Sequence, residues 1–532
     1  VDAIAVCSML TGTAACGSTQ AQAVQDNVIS VSGSEPQKPL IPGDTYEPGG
    51  MPIIFELFSG LVSANGADHK TVNEVAESIT PNADATQYTV KLKDGWKFSD
   101  GTPVTSESFT KAWSYTANAA NGLVTASFFS NIKGYDKVQQ KGVASDEQLE
   151  GLKVVDDHTF TVDLSTSDSN FPIKVGYTGF APLPESFYKD PKAFGENPVG
   201  NGAYKFKKWE HNKEIDVVKN PDYKGSFPAK NDGVNFMLYT SPQAAYADVQ
   251  AGNLDVMSGV PSSAMKTFMS DTKIKGYSQP GSSVMFITIP DRLDHFGMNE
   301  EGRLRRRAIS LAIDRESICK KIFNGTRTPA VDFTSPLTPG YSDSLKGVEN
   351  LKFNAAKAKE LWAKANAISP WDGDFRIAYN ADGGHKAWVD AVSNSIKNTL
   401  GINAEGDPYP TFSASLEDRL GAKLKGATRA GWQADWPSLF NFLNENYRTG
   451  ASSDLEGYSN SEFDKLIDEG AASTSSEDAI KKFQQAEEIL LKDLPSVPLW
   501  YQNVNGVWST KVSNVNFGWD SVPIYYEVTK SK

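Results

Sequence analysis

Cysteine is scarce in this sequence, and long apolar segments are absent. The 532 residues include three cysteines, Cys7, Cys16 and Cys319, and no CxxC pair, so the sequence indicates neither a disulfide framework nor a thiolate metal site. No apolar run approaches the roughly 20 residues that a membrane-spanning helix needs. Positive charge is also deficient: the net charge is −13 and the pI is near 5.1. This balance argues against a nucleic-acid-binding surface.

Sequence motifs of common catalytic and cofactor sites are missing as well. The chain has no HExxH, GxSxG, P-loop or EF-hand sequence. Its histidines are scattered at His69, His158, His211, His295 and His385. Distant residues can assemble into a triad in space, but no motif here supports one. We therefore expect a protein that is not an enzyme and holds no metal or cofactor.

The one basic cluster comprises Arg303 and residues 305–307. Apolar residues at positions 304, 308, 311 and 312 share one face of the helix that this spacing predicts. The sequence therefore predicts an amphipathic helix whose arginines are solvated, not a binding site for phosphate.

An apolar, small-residue run at residues 3–15 is followed by Cys16 and a polar stretch to residue 26. Such a run is typical of a secretory signal. Residues 13–16 (TAAC) resemble a bacterial lipobox, although Thr13 stands where Leu is usual. We expect residues 1–26 to be a signal remnant and flexible leader, with Cys16 lipidated; a freely secreted protein is the alternative.

The rest of the chain has the composition of a multidomain globular protein. Apolar residues make up 39% and aromatic residues 11%, and 532 residues exceed what one hydrophobic core usually supports. Strands are predicted at 27–31, 88–92 and 158–164, and helices at 106–115 and from 476 to before Pro495. Strands in separated runs with helices between them indicate an α/β or α+β fold.

Residues 429–436 (RAGWQADW) place Arg429 and Asp435 six residues apart in an otherwise apolar segment. Charges taken out of water need an ionic partner, because desolvation costs several kcal/mol per ion. A zwitterionic ligand would satisfy both groups. The alternative is that both are ordinary surface charges at the two ends of a strand.

Four ordered segments resemble a known family. They are residues 197–205 (NPVGNGAYK) with Trp209 and residues 220–223 (NPDY), residues 305–318 (RRRAISLAIDRESI), residues 431–437 (GWQADWP), and residues 458–464 (YSNSEFD). Together they resemble the family 5 extracellular solute-binding proteins of bacterial ABC importers, and most closely the oligopeptide-binding branch. The similarity runs from about residue 27 to about residue 510.

The resemblance implies an α/β fold of the periplasmic-binding-protein type. This is the type II arrangement of its large class: two lobes joined by a hinge, with an extra inserted domain. The first lobe would comprise residues 27–70, 195–285 and 495–532, with the inserted domain at 71–194. The second lobe would span residues 286–494. The lobes would close around a ligand by a hinge near residues 285 and 495.

The resemblance also implies residues that bind a peptide. Asp435 would pair with the α-ammonium group, and Arg429 and His385 with the carboxylate of short peptides. His385 lies in residues 379–386 (YNADGGHK), which resemble a family segment. Side chains of the cleft wall complete the expected site: Trp432, Gln433, Ala434, Trp436 and Phe286. For each aromatic, core packing is the alternative.

The function that follows by resemblance is capture of short peptides for a membrane ABC permease. The protein would act as a monomer, lipid-anchored on the extracellular face of the bacterial membrane. One alternative is a family member for another solute, an oligosaccharide or a metal complex. A secreted hydrolase on the same scaffold is a second alternative.

Overall fold

The structure, a computed structural model, describes residues 27–531. The expected leader and the expected lipidation of Cys16 therefore lie outside the described residues. Within 27–531, no helix is both long enough and apolar enough to cross a bilayer.

Strands and helices alternate along the chain. The strands are β1 Val28–Gly33, β2 Val62–Ser63, β3 Val72–Asn73, β4 Ala76–Pro81, β5 Gln87–Leu92, β6 Leu152–Asp156, β7 Thr159–Asp163, β8 Tyr204–Glu210, β9 Glu214–Lys219, β10 Gly233–Leu238, β11 Val256–Ser258, β12 Ile274–Thr288, β13 Arg327–Pro329, β14 Phe375–Asn380, β15 Ala404–Tyr409, β16 Ala427–Gln433, β17 Ser496–Ser509, β18 Val512–Ser513 and β19 Thr529–Lys530. The helices are α1 Met51–Leu57, α2 Ser106–Ala117, α3 Tyr135–Val138, α4 Phe171–Lys174, α5 Pro191–Glu196, α6 Pro242–Ala251, α7 Glu300–Leu311, α8 Arg315–Lys321, α9 Ala355–Ile368, α10 Lys386–Leu400, α11 Phe412–Leu420, α12 Leu439–Tyr447, α13 Ser461–Ala471 and α14 Ser476–Asp493. Every strand and helix predicted above is present within a few residues of its expected bounds.

One 11-stranded sheet runs through both halves of the molecule. The first and second halves are the parts of the structure that correspond to the expected first and second lobes. Its order is β15-β14-β16-β12-β17-β11-β1-β10-β9-β8, with β13 alongside β17. The long strands β12 and β17 form an antiparallel pair at its centre. Their pairing is interrupted between Pro280 and Val284 of β12. Among the described residues, the two halves of this sheet meet at β12 and β17, so the interruption lies at the crossover between them.

The crossover in β17 differs from the expected boundary at residue 495. Val497, Leu499 and Trp500 are at most 1% exposed and pack in the core of the second half. Val504, by contrast, packs in the core of the first half. The chain therefore returns to the first half after Trp500, because β17 begins as a buried strand of the second.

A separate sheet of order β4-β5-β7-β6 lies within the expected inserted segment. Its buried face carries Tyr88, Val90 and Phe160, which are at most 1% exposed. These residues belong to the same hydrophobic cluster as Ile29 and Val234 of the main sheet. The inserted segment thus shares one continuous core with the first half.

Helix α10 shows how the sequence builds the second half. Its buried residues Trp388, Val389, Val392 and Ile396 recur at intervals of three and four positions, which puts them on one helix face. Each fully buried aliphatic side chain contributes about 1.5–3 kcal/mol. The helix ends at Gly401, whose φ of 70° is a conformation that glycine adopts without a Cβ clash.

The prediction that the arginines of α7 are solvated is wrong for two of them. Arg305 and Arg306 are 0% exposed. Arg305 donates to Asn366 Oδ1 at 3.1 Å and to the Ser369 carbonyl at 2.6 Å. Arg306 donates to the carbonyl oxygens of Phe296 and Leu494. The helical periodicity is read from apolar positions alone. The acceptors that satisfy the planar donor fork of each guanidinium group are amide and main-chain oxygens of helix α9 and of loops.

Candidate functional site

Strand β16 lies between the two cavities that hold most of the expected site residues. It pairs with β12, which places Phe286 opposite Ala430 and Ile287 opposite Arg429. The larger cavity has a volume of about 750 Å³ and lies between the halves. Gln433, Ala434 and Asp435 form its wall on the side of the second half. Residues of the first half form the opposite wall, among them Ser32, Gly33, Tyr46, Tyr177 and Trp519. This cavity is called the cleft below.

Asp435 lies in the cleft wall with neutral polar neighbours. Its Oδ2 accepts a hydrogen bond from Asn441 Nδ2 at 3.2 Å, and its main-chain N–H donates to Asn441 Oδ1 at 3.0 Å. Burial raises the pKa of Asp435, while hydrogen bonds from Asn441 and Tyr46 and the positive charge of Lys174 act in the opposite direction. In the part of the chain that the structure describes, no cationic nitrogen lies within 4.0 Å of this carboxylate. Asp435 therefore presents a negative charge without a bound counterion.

Arg429 presents the opposite charge at the start of β16. Its Nε donates to Asn380 Oδ1 at 2.9 Å, and its guanidinium lies 5.3 Å from the centre of the Phe412 ring. Burial lowers the pKa of Arg429, and the nearby Arg419 adds to this effect. Arg419 is already paired with Glu456 at 2.7 Å. No carboxylate among residues 27–531 lies within 4.0 Å of Arg429.

His385 is the residue just before α10 and lies close enough to Arg429 to be affected by its charge. Burial, with a further contribution from Arg429, lowers the pKa of His385 to about 4, so the imidazole is neutral at neutral pH. The indole of Trp388 donates to His385 Nδ1 at 3.1 Å. That hydrogen bond leaves the imidazole proton on Nε2, where it is a donor. Arg429 and His385 together therefore form a cationic, donor-rich end of the site.

The distance between the two charges can be compared with the length of a peptide. The four steps of strand from Arg429 to Gln433 span about 13 Å between Cα atoms, and Asp435 lies two residues beyond the strand. An extended ligand of five residues spans roughly 14 Å between its terminal Cα atoms.

The expected aromatic residues do not all line the cleft. Phe286, 5% exposed, lines a smaller cavity of about 190 Å³ together with Arg429 and Trp432. Trp432 is half-buried, and its indole donates to Asn441 Oδ1 at 3.0 Å. Trp436 is 8% exposed and lies beside the cleft, where its ring contacts Phe128. Core packing, the alternative considered from the sequence, thus describes Phe286 and Trp436 better than it describes Trp432.

Sequence reasoning missed two polar residues of the site. Asn441 is 1% exposed and contacts both Asp435 and Trp432. The sequence contained a signal for Asn441, because it is a polar residue between Leu439 and Phe442 on the apolar side of α12. Tyr46 gave no such signal, because it lies almost 400 positions before Asp435 and only folding brings the two together.

Residues 70–454 match the family model described as "Bacterial extracellular solute-binding proteins, family 5 Middle". The match covers well over half of the chain. The chain belongs to family 5 of the bacterial extracellular solute-binding proteins. It is a solute-binding protein and not an enzyme, so the expectation of no catalysis is confirmed and the hydrolase alternative is set aside.

Two curated relatives align with nearly the whole length of this chain. The oligopeptide-binding protein OppA of Bacillus subtilis is 26% identical over 491 residues, 87% of each chain. The periplasmic oligopeptide-binding protein OppA of Salmonella typhimurium is 28% identical over 495 residues, 90% of this chain and 87% of the relative.

A solved structure resembles the fold over almost its full length. It is the periplasmic murein tripeptide-binding protein MppA in its unliganded open form, with a TM-score of 0.86 at 21% identity, covering 96% of this chain and 98% of that one. The expected two-lobed α/β fold of the periplasmic-binding-protein type is confirmed.

Proposed function

We propose that this family 5 protein binds short peptides through both of their charged termini, along β16 from the cleft at Asp435 to the smaller cavity at Arg429. Asp435 would hold the α-ammonium group, and Arg429 with His385 the terminal carboxylate. β14 pairs with β16 only at residues 427 and 428, so the main chain of residues 429–433 would pair on that side with the extended peptide as an added strand does. Gln433, Ala434 and Trp432 would line the side-chain pockets beside it, with Trp436 and Phe286 behind them.

The observation that carries this proposal is the pair of opposite charges without ionic partners, one on β16 and the other two residues after its end. Asp435 and Arg429 are each held by neutral hydrogen-bond partners. Leaving both charges unpaired in a site that excludes water is unfavourable. A zwitterion of the right length supplies both counterions at once, through charge-assisted hydrogen bonds. The peptide-binding names of the two relatives support the same ligand class.

Lobe closure would complete such a site. We infer that the first lobe comprises residues 27–70 and 195–285 with the C-terminal segment after Trp500, that residues 71–194 are inserted in it, and that residues 286–500 form the second lobe. The interruption of β12 between Pro280 and Val284 supports a hinge there. Similarity to an open, unliganded structure supports the interpretation that the described structure is the open form.

The cellular setting is part of the proposal. The family description places such proteins outside the cytoplasm. We propose that Cys16 anchors the protein by a lipid to the extracellular face of the membrane. There the closed monomer would deliver its peptide to an ABC permease, and the ATPase subunits lie on other chains.

Calorimetric titration with tri- to pentaalanine tests the proposal. Free peptides should bind, whereas N-acetylated and C-amidated forms should each bind at least about 30-fold more weakly, because truncating one partner of a buried charge pair costs 2–5 kcal/mol. Asp435→Asn should remove the effect of acetylation, and Arg429→Gln the effect of amidation. Asp146→Asn, an exposed carboxylate of the inserted segment, and Arg376→Gln on β14 are the matched controls.

Two results would contradict the proposal. One is equal affinity for free and acetylated peptides in the unaltered protein. The other is binding of oligosaccharides or a metal complex with no binding of any peptide, which would leave the family assignment intact but replace the ligand class.

A further inference from the structure

A second, smaller cavity opens beside the cleft in the first half of the molecule. Its volume is about 60 Å³, and three acidic residues line it: Glu56 at the end of α1, Glu74 before β4, and Asp520 in the loop after β18. We call this cavity the acidic chamber. It shares wall residues with the cleft: Phe55, Tyr177, Asp520, Val522 and Pro523. The acidic chamber is therefore a side chamber of the cleft.

The carboxyl groups of the acidic chamber have few partners. Glu74 is 1% exposed and accepts hydrogen bonds from the Tyr223 hydroxyl at 2.6 Å and the Ser226 N–H at 3.0 Å. Asp520 accepts from the main-chain N–H of Val522 at 3.0 Å. Glu56 is half-buried, because part of its side chain faces the cavity. Protein surrounds its carboxyl group on the other sides. Among the described residues, none donates a hydrogen bond to Glu56 and no cationic nitrogen lies within 4.0 Å of the three groups.

Burial in the acidic chamber favours the protonated form of Glu56. Burial, and to a lesser extent Asp520, raises the pKa of Glu56 to about 8. Burial likewise raises the pKa of Asp520 to about 6. The other titratable groups that act on or near Glu56 are the tyrosines at positions 204, 525 and 526, and Glu74, Tyr177 and Tyr223 line the same chamber. Lys93 lies near enough to act on Glu74, but among the described residues no cation acts on Glu56. An external cation is therefore the remaining partner that would satisfy Glu56 in its charged form.

Size and position restrict which cation fits. The volume is several times the roughly 10–15 Å³ that one water needs, which is room for an ammonium group and a few methylene groups. The aromatic ring of Tyr177, which lines both cavities, lies 6.5 Å from the ring of Tyr46, and Tyr46 lines the cleft together with Asp435. The acidic chamber therefore adjoins the end of the cleft where Asp435 lies.

We propose that the acidic chamber binds the ammonium side chain of a lysine near the amino terminus of a bound peptide. Glu56 is the main counterion, and Asp520 the second. A compact ammonium group on a flexible stem suits a narrow chamber better than the wide, planar guanidinium of arginine. This inference rests on the proposed function, because it assumes a peptide whose amino terminus is at Asp435.

Calorimetric titration with tetrapeptides tests the inference. Lysine is placed at position one or two of an alanine peptide and compared with norleucine, its uncharged analogue of similar length, and with tetraalanine. At pH 8, one of the two lysine peptides should bind at least tenfold more tightly than its norleucine partner. In Glu56→Gln this ratio should fall close to one, while affinity for tetraalanine is unchanged. Glu77→Gln, an exposed carboxylate on β4, is the matched control and should keep the ratio.

Proton release gives a readout that needs no variant. Titration at pH 7 in two buffers of different ionisation enthalpy should show protons released on binding of the favoured lysine peptide and not of its norleucine partner. Equal affinity of lysine and norleucine peptides, or a ratio retained in folded Glu56→Gln, would overturn the inference and leave peptide binding intact. No binding of any peptide, tetraalanine included, would instead overturn the proposed function and this inference with it.

Discussion

A fully buried pair of carboxyl groups predicts how stability depends on pH. Asp332, after β13, and Glu487, on α14, are both 0% exposed and lie close enough for one proton to be shared between them. The Thr334 hydroxyl donates to Asp332 Oδ2 at 2.6 Å. As carboxylates, Asp332 Oδ1 and both Glu487 oxygens would have no hydrogen-bond partner. A proton held between the two groups removes that deficit, so the folded pair retains a proton that the unfolded chain releases.

The direction of the pKa shifts determines whether stability rises or falls with pH. Burial raises the pKa of Asp332 from 3.8 to about 6 and raises the pKa of Glu487 well above its usual value. The stability that the pair contributes is fully present below the unfolded pKa values near 4 and is lost as pH rises through the folded values. The difference between these two pKa values of Asp332 corresponds to roughly 3 kcal/mol of unfolding free energy.

Glu487→Gln isolates this contribution. The amide donates to Asp332 without a titrating proton, so between pH 5 and 8 the variant should lose roughly 1–3 kcal/mol less stability than the unaltered protein. Urea denaturation followed by tryptophan fluorescence at pH 5, 6.5 and 8 measures the difference. Glu477→Gln, an exposed residue of the same helix, should follow the unaltered protein. Parallel pH curves for Glu487→Gln and the unaltered protein would refute the reasoning.

Three further predictions address packing and the ligand site. Arg306→Ala should lower the unfolding free energy by about 3 kcal/mol, measured by urea denaturation, because two main-chain carbonyl groups lose a buried charged donor. Gly200→Ala should lower the melting temperature by several degrees, because a Cβ there would lie 1.9 Å from the Leu57 carbonyl oxygen and the backbone must shift; an unchanged melting temperature would contradict this. His385→Ala should weaken binding of free tripeptides by about tenfold, the value of one hydrogen bond to a charged group, and leave C-amidated tripeptides unaffected in the same calorimetric titration.

The secondary-structure elements that depend on a local sequence pattern were predicted from the sequence. The alternation at residues 88–92 and the helix that Pro495 follows appear where expected, since their signals lie within a few neighbouring positions. Burial of Arg305 and Arg306 escaped prediction, because their acceptors come from loops and helices elsewhere in the chain. The same distinction between local and distant signals holds for the residues of the candidate site. Asp435 sits in a recognisable segment, whereas Tyr46 reaches it only through the folded cleft.

The acidic chamber illustrates why ligand preference is harder to predict than ligand class. Its charge comes from three separate elements, at positions 56, 74 and 520, and each is unremarkable in an acidic protein. Their common effect arises from shared burial, which makes each charge unfavourable until a cation arrives. The two proposed sites also lie on different sides of the cleft, with Asp435 in the second half and Glu56 in the first. A lysine peptide that contacts both therefore stabilises the closed arrangement over the open one, by the difference in its affinity for the two.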